Sequence, residues 1–261
     1  MSADASRAEF VQFGVAWRDP IRNIIVPAGI LSYHKDEFCF RYVTGARSPG
    51  FRPLPGFPSL DSVYTAARLF PFFQSRVLDP KRPDYAEYVA ALGLDAHATV
   101  LDVLGRSGGR RLGDKLQMQR EPLIEADGTT SCVFLVHGLR FAVRPETESA
   151  LLTLHPGYNL TLREDRDNPV NKNALLVATA DGLAFGWVPE MLVDYVHTAR
   201  HTAPVSLEVV RVNDPRLPSH LRLLVRLSGT VPRSYRMFAT DLWKPIARPQ
   251  AEVPYDGPSR P

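Results

Sequence analysis

Cysteine is scarce in this chain of 261 residues, which holds only Cys39 and Cys132. Neither has a metal-binding or redox spacing, so a disulfide framework, a zinc cluster and a dithiol switch are all excluded, and both thiols are expected to be buried in a reducing compartment. Long apolar runs are missing too. No stretch approaches the roughly 20 residues that span a bilayer. The opening MSADASRAEF has no basic region followed by an apolar core, so the expectation is a cytoplasmic protein. Charge of one sign is also in short supply, with 31 lysines and arginines against 28 aspartates and glutamates and a net charge of +3. An isoelectric point near 8.9 is compatible with nucleic acid without demanding it. The signatures of catalysis are absent as well. Neither cysteine has a local catalytic signature, and the glycines from Gly105 to Gly109 lack the Lys-Ser or Lys-Thr ending of a nucleotide loop. The expectation is therefore a binding protein, not an enzyme, with no cofactor and no metal.

What is present is apolar patterning, with 44% hydrophobic residues, and room for two domains. After a polar leader, Ile24–Tyr33 and Phe38–Val43 read as strands around the turn His34-Lys35-Asp36-Glu37. The segment SPGFRPLPGFPSL is too rich in proline and glycine for a helix or a central strand. Helices are predicted from Asp61 to Leu69, from Pro83-Asp84 to Leu92 with Gly93 as the stop, and from a Thr99 cap through Leu104. A last strand is predicted within Leu112–Met118. Residues 121–130 (EPLIEADGTT) are polar and turn-rich, and are read as a linker between a domain of residues 1–120 and one of residues 131–235. Residues 236–261 hold many prolines and polar side chains and read as a flexible tail.

The second half carries the more specific pattern. Strands are predicted at Cys132–Phe141, Asn159–Glu164, Leu175–Ala180 and Leu183–Val188, followed by a helix from Pro189 to Arg200. Two more strands fall at Val205–Val212 and Leu221–Leu227, the latter with Arg222 and Arg226 on the polar face. Asp181-Gly182 marks a tight hairpin. Between the second and third strands lies Asn168-Pro169-Val170-Asn171-Lys172-Asn173-Ala174, a surface hinge whose asparagines can hold the turn or hold a ligand. Between Cys132 and Thr230 ten basic and ten acidic side chains cancel, so attraction for phosphate requires a one-sided arrangement of arginines.

Three pieces in this order, Gly138-Leu139-Arg140-Phe141, Arg163-x-x-x-x-Asn168-Pro169-x-x-Lys172-Asn173-Ala174 and Gly186-Trp187-Val188-Pro189, resemble the HIRAN family. The resemblance covers less than half of the chain. It implies a small, mostly β barrel of the OB or SH3-like kind with one or two helices, and a module that captures single-stranded DNA or DNA ends. It also implies roles for individual residues: Arg140 for phosphate, Phe141 for base stacking and Asn168 for the terminal nucleotide. The family's aromatic and acidic pair after Asn-Pro is replaced here by Val170 and Asn171, which removes a stacking ring and a carboxylate. Trp187 is a second candidate platform, and Lys172 and Arg163 flank the hinge. In the competing reading Phe141 is core, the asparagines only make the turn, and the exposed cations touch water. His197 and His201 share a helix face at a spacing zinc can use, but no third ligand is near in sequence, so they read as surface histidines.

The first half is similar to the N-terminal subdomain of HipA-type kinases through PLPGFPSL, LFPFFQSRVLDP and the Leu-Gly-Arg-Ser-Gly-Gly turn. This implies an α+β domain in which Phe70, Phe72 and Phe73 anchor a core and Pro71 makes a bend. The kinase motifs themselves are missing. Two partner classes follow from the resemblances beside nucleic acid: a HipA-type kinase or antitoxin, and a helicase or nuclease for which the chain is an accessory subunit.

Overall fold

The computed structural model describes residues 10–247, apart from 112, 114, 143 and 144, and residues 252–255. Its strands in chain order are β1 (Val11–Arg18), β2 (Ile25–His34), β3 (Glu37–Tyr42), β4 (Val63–Ala66), β5 (Leu116–Arg120), β6 (Leu123–Ile124) and β7 (Thr129–Leu135). They continue with β8 (Asn159–Glu164), β9 (Leu175–Ala178), β10 (Ala184–Trp187), β11 (Ser206–Val212), β12 (Leu223–Thr230) and β13 (Glu252–Pro254). The α-helices are α1 (Pro71–Gln74), α2 (Tyr85–Ala91), α3 (Val100–Ser107), α4 (Leu139–Ala142), α5 (Pro145–Thr153) and α6 (Val193–Thr202). No helix among the described residues is long and apolar enough to cross a membrane. The fold is mixed α and β, built on two sheets that are almost wholly antiparallel.

Two compact units alternate along the chain. Of the described residues, the first takes those within 10–79, 108–121, 236–247 and 252–255, and the second those within 80–107 and 122–235. This differs from the linear division expected above, for a packing reason. Gly93 after α2 lies against Leu224 of β12, while the Arg211 and Asn213 side chains donate to the Ala90 and Ala91 carbonyls. Residues 80–107 therefore cover the second sheet. The expected linker is not a linker either. Its Leu123–Ile124 pairs with β7, and Gly128 turns the chain at φ +95°.

The first unit is a six-stranded sheet in the order β13-β4-β3-β2-β1-β5, with only the β13–β4 pair parallel. β1 falls in what reads as a polar leader: Val11, Phe13 and Val15 are buried, but Gln12 and Gly14 between them dilute the pattern. β4 replaces the helix expected from Asp61, because Val63, Tyr64 and Thr65 are strand formers that pair with Arg41, Phe40 and Cys39 of β3 in turn. The core is aromatic. Phe57 lies 4.6 Å from Phe40, 5.1 Å from Phe70 and 5.6 Å from Phe73 between ring centroids. Phe70 and Phe73 are fully buried as anchors, Phe72 is half-buried, and Pro71 starts α1. Buried Tyr42 accepts from the Leu54 N–H and donates to the Phe57 carbonyl, tying the proline-rich loop to the sheet, and burial pushes its phenol well above the ordinary value. The described residues from Arg236 to Ala247 and from Glu252 to Tyr255 belong to this unit, where a flexible tail was expected.

The second unit is a seven-stranded antiparallel sheet in the order β10-β9-β8-β11-β12-β7-β6. It is not a closed barrel. β10 and β6 are both edges, and across the gap the isolated bridge is His137 with Trp187. Leu223, Leu224, Val225 and Leu227 are fully buried, so β12 is covered on both faces where a half-exposed strand was expected. Arg222, expected on a polar face, is buried, and donates to Glu148 at 2.7 Å and to the Asn213 carbonyl at 3.1 Å. The Thr99 cap is observed, with Thr99 and Asp102 exchanging side-chain and backbone hydrogen bonds at the start of α3. Cys132 is buried as expected, whereas Cys39 is half-buried. Burial pushes the Cys132 thiol up to about 12. The thiolate is the reactive species, so in the native protein Cys132 is expected to resist an aromatic disulfide reagent at pH 8 and to react at once in denaturant.

Candidate nucleic-acid interface

The chain leaves β7 through His137, whose backbone exchanges hydrogen bonds of 2.9 and 2.8 Å with Trp187 at the end of β10. Gly138 follows at φ +72°, a conformation a side chain resists. A Cβ there would lie 2.6 Å from Trp187 Cε3, so the indole rests directly on this glycine. Residues Leu139–Ala142 then form the single helical turn α4 instead of the expected end of a strand. The difference decides the site. In a strand, Arg140 and Phe141 would point to opposite faces, whereas a helical turn places neighbours about 100° apart. Leu139 is buried, Arg140 and Phe141 point outward together, and Phe141 is 71% exposed. The Arg140 guanidinium lies 4.5 Å from the Phe141 ring centroid. That covers one ring face with a cation.

The hinge links β8 to β9 as expected, and its asparagines first hold the turn. Asn168 Oδ1 accepts the Val170 and Asn171 N–H groups at 3.0 and 3.1 Å, its Nδ2 donates to Asp165 Oδ2 at 3.0 Å, and Asn171 Oδ1 accepts the Asn173 N–H at 2.9 Å. The carbonyl side of Asn168 is thus occupied by the loop itself, while Asn171 keeps its amide N–H groups for other contacts. Trp187 joins the two parts. Its Nε1 donates to the same Asp165 oxygen at 2.8 Å. One half-buried indole therefore stands between the Arg140–Phe141 turn and the asparagine hinge, fixed to both. Trp187 is a wall of the site more than a free stacking platform.

Lys172 is exposed on the hinge. Arg163 is exposed but belongs elsewhere: its guanidinium lies beside Gly182 in the β9–β10 hairpin, at the opposite end of β9 from the hinge. Arg166 is engaged with Glu164 at 2.7 Å and holds that carboxyl below the usual range, with Arg200 and His197 adding to the effect. His197 Nε2 meets the Asn173 carbonyl at 2.9 Å and its ring stacks near that of His201, with centroids 6.1 Å apart. His197 therefore braces the hinge against α6. No cluster of three or more metal-ligating side chains occurs among the described residues. Two residues of the site escape sequence reasoning. Asp165 accepts from both Trp187 and Asn168, and its only sequence signal is its place three residues before Asn168. Gly138 matters for the space it leaves to the indole.

No family model matches the chain, and no curated protein does. Among solved structures, the HIRAN domain of human HLTF is similar over 39% of this chain and 74% of its own, with 18% identity and a TM-score of 0.28. A protein from Lactobacillus plantarum is similar over 39% of this chain and 99% of its own, with 19% identity and a TM-score of 0.30.

Proposed function

We propose that the α4 turn and the neighbouring hinge bind single-stranded nucleic acid by charge and stacking, without chemistry. The observation that supports this most is the exposed Arg140–Phe141 pair, held outward by a turn whose other side is buried. A strand is retained by a cation for the backbone and a flat ring for a base, and the uncovered face of Phe141 is free for such a ring. Lys172 adds a second cation, and Asn171 offers amide donors to a base or sugar edge. Because Arg140 and Lys172 are few, the salt dependence should be shallow. Two phosphate contacts on a single strand lower affinity about sevenfold between 50 and 200 mM salt. Fluorescence anisotropy with a labelled eight-nucleotide single strand tests this reading. Binding with that gentle slope supports it, and no binding at 50 mM salt refutes it.

A further inference from the structure

The hinge of the candidate site holds a carboxylate with one oxygen committed and one left over. Asp165 Oδ2 accepts from Trp187 Nε1 at 2.8 Å and from Asn168 Nδ2 at 3.0 Å, while Oδ1 meets no donor among the described residues. The other end of the same Asn168 carboxamide accepts the Asn171 N–H at 3.1 Å, so the Asp165 carboxylate and the Asn171 backbone flank one planar group. Asn171 is committed on one side only. Its Oδ1 caps the Asn173 N–H at 2.9 Å, and its Nδ2 donates to nothing among the described residues. Lys172 is next in the chain, exposed and without an ion pair among the described residues. An acceptor, a donor and a cation are thus left over on a turn whose remaining hydrogen bonds hold it in shape.

A carboxylate repels phosphate, so it suits a strand only where it meets a part of the nucleotide that donates. A bare carboxylate oxygen takes a donor, an amide N–H takes an acceptor, and a hydroxyl is both. We infer that the single strand bound at this hinge is RNA: a ribose 2′-hydroxyl donates to Asp165 Oδ1 and accepts from Asn171 Nδ2, while Lys172 meets the phosphate on the same sugar. This rests on the single-strand reading above and adds the sugar to it. A base edge also donates, but it lies on the far side of its ring from the phosphate, whereas the 2′-hydroxyl is beside the phosphate as Asn171 is beside Lys172. The 2′-hydroxyl is the group by which a protein tells RNA from DNA. Deoxyribose puts a C–H there, so the half-buried carboxylate and amide lose water and gain no partner, and a site that hydrogen-bonds a hydroxyl rejects the analogue lacking it. Half-burial keeps the effect at the low end for a charged hydrogen bond, about tenfold in affinity.

The probe is the labelled octamer CACACACA, which has no uracil or thymine to differ, made as RNA, as DNA and as 2′-fluoro RNA and titrated by anisotropy against the full chain. RNA is expected to bind about tenfold more tightly than DNA, and the 2′-fluoro strand, which keeps the sugar pucker of RNA without its hydroxyl, is expected to bind like DNA. Asp165→Asn keeps one oxygen for Trp187 and Asn168 and puts an amide in place of the free oxygen. Its RNA advantage is expected to disappear while its affinity for DNA is unchanged or higher, a pattern that mere damage to the hinge would not give. Equal affinity of the wild-type chain for RNA and DNA overturns the inference and leaves single-strand capture standing, whereas no binding to any of the strands overturns both. A 2′-fluoro strand that matches RNA also overturns it, because shape would then carry the preference, and so does an Asp165→Asn chain that keeps the full RNA advantage. Should that variant fold poorly, the three strands on the wild-type chain decide alone.

Discussion

Trp187→Ala is expected to lower the stability of the second unit by about 2–4 kcal/mol, somewhat less than the 3–5 kcal/mol typical of a fully enclosed large aromatic. The indole is half-buried, rests on Gly138 and holds Asp165 through its N–H, so alanine removes packing on one side and a donor on the other. Trp187→Phe separates the two. It keeps most of the ring and loses only the donor, leaving Asp165 Oδ2 with Asn168, so a loss of about 1 kcal/mol is expected. Urea unfolding of the three proteins makes the comparison. Equal midpoints for wild type and Trp187→Ala would show that the indole does not join the turn to the hinge.

In the first unit, Phe57→Ala is expected to cost about 3–5 kcal/mol. The ring is fully buried, and Phe40, Tyr64, Phe70, Phe73 and Tyr255 all lie within 5.6 Å between centroids. No single neighbour can move in to fill that space, so a cavity remains. Phe57→Leu, which keeps most of the apolar volume, should recover a good part of the loss. A drop below 1 kcal/mol for the alanine variant, read from the urea midpoint, would mean that this loop is not part of the core.

The elements legible in the sequence are those whose cause is local. Asp181-Gly182 forms its hairpin with Gly182 at φ +95°, Asn159–Glu164 is a strand with the bounds expected, and Gly93 at φ +67° stops α2. The hinge is where the asparagine spacing places it, and the hydrogen bonds of Asn168 and Asn171 explain why those residue types sit there. What the sequence hides depends on partners far away. β1 is a strand because β2 and β5 flank it, and residues 80–107 join the second unit because Leu224, Arg211 and Asn213 receive them. Arg222 reads as a surface residue until Glu148 and the Asn213 carbonyl are seen to meet it. The candidate site shows the same split. The residue types Arg140 and Phe141 are visible in the sequence, but that they share an outward face depends on Gly138 turning the chain into α4 under the Trp187 ring.

That shared face can be tested directly by removing it. Arg140→Ala combined with Phe141→Ala should leave the unfolding midpoint almost unchanged, since both side chains are exposed. Loss of one stacked base is worth about 1–3 kcal/mol, so affinity for a short single strand should fall by about fivefold to more than a hundredfold. Anisotropy at low salt on the wild type and the double variant decides the matter. A large loss with intact stability is the result expected, and equal affinities in two equally stable proteins would contradict nucleic-acid capture at this turn.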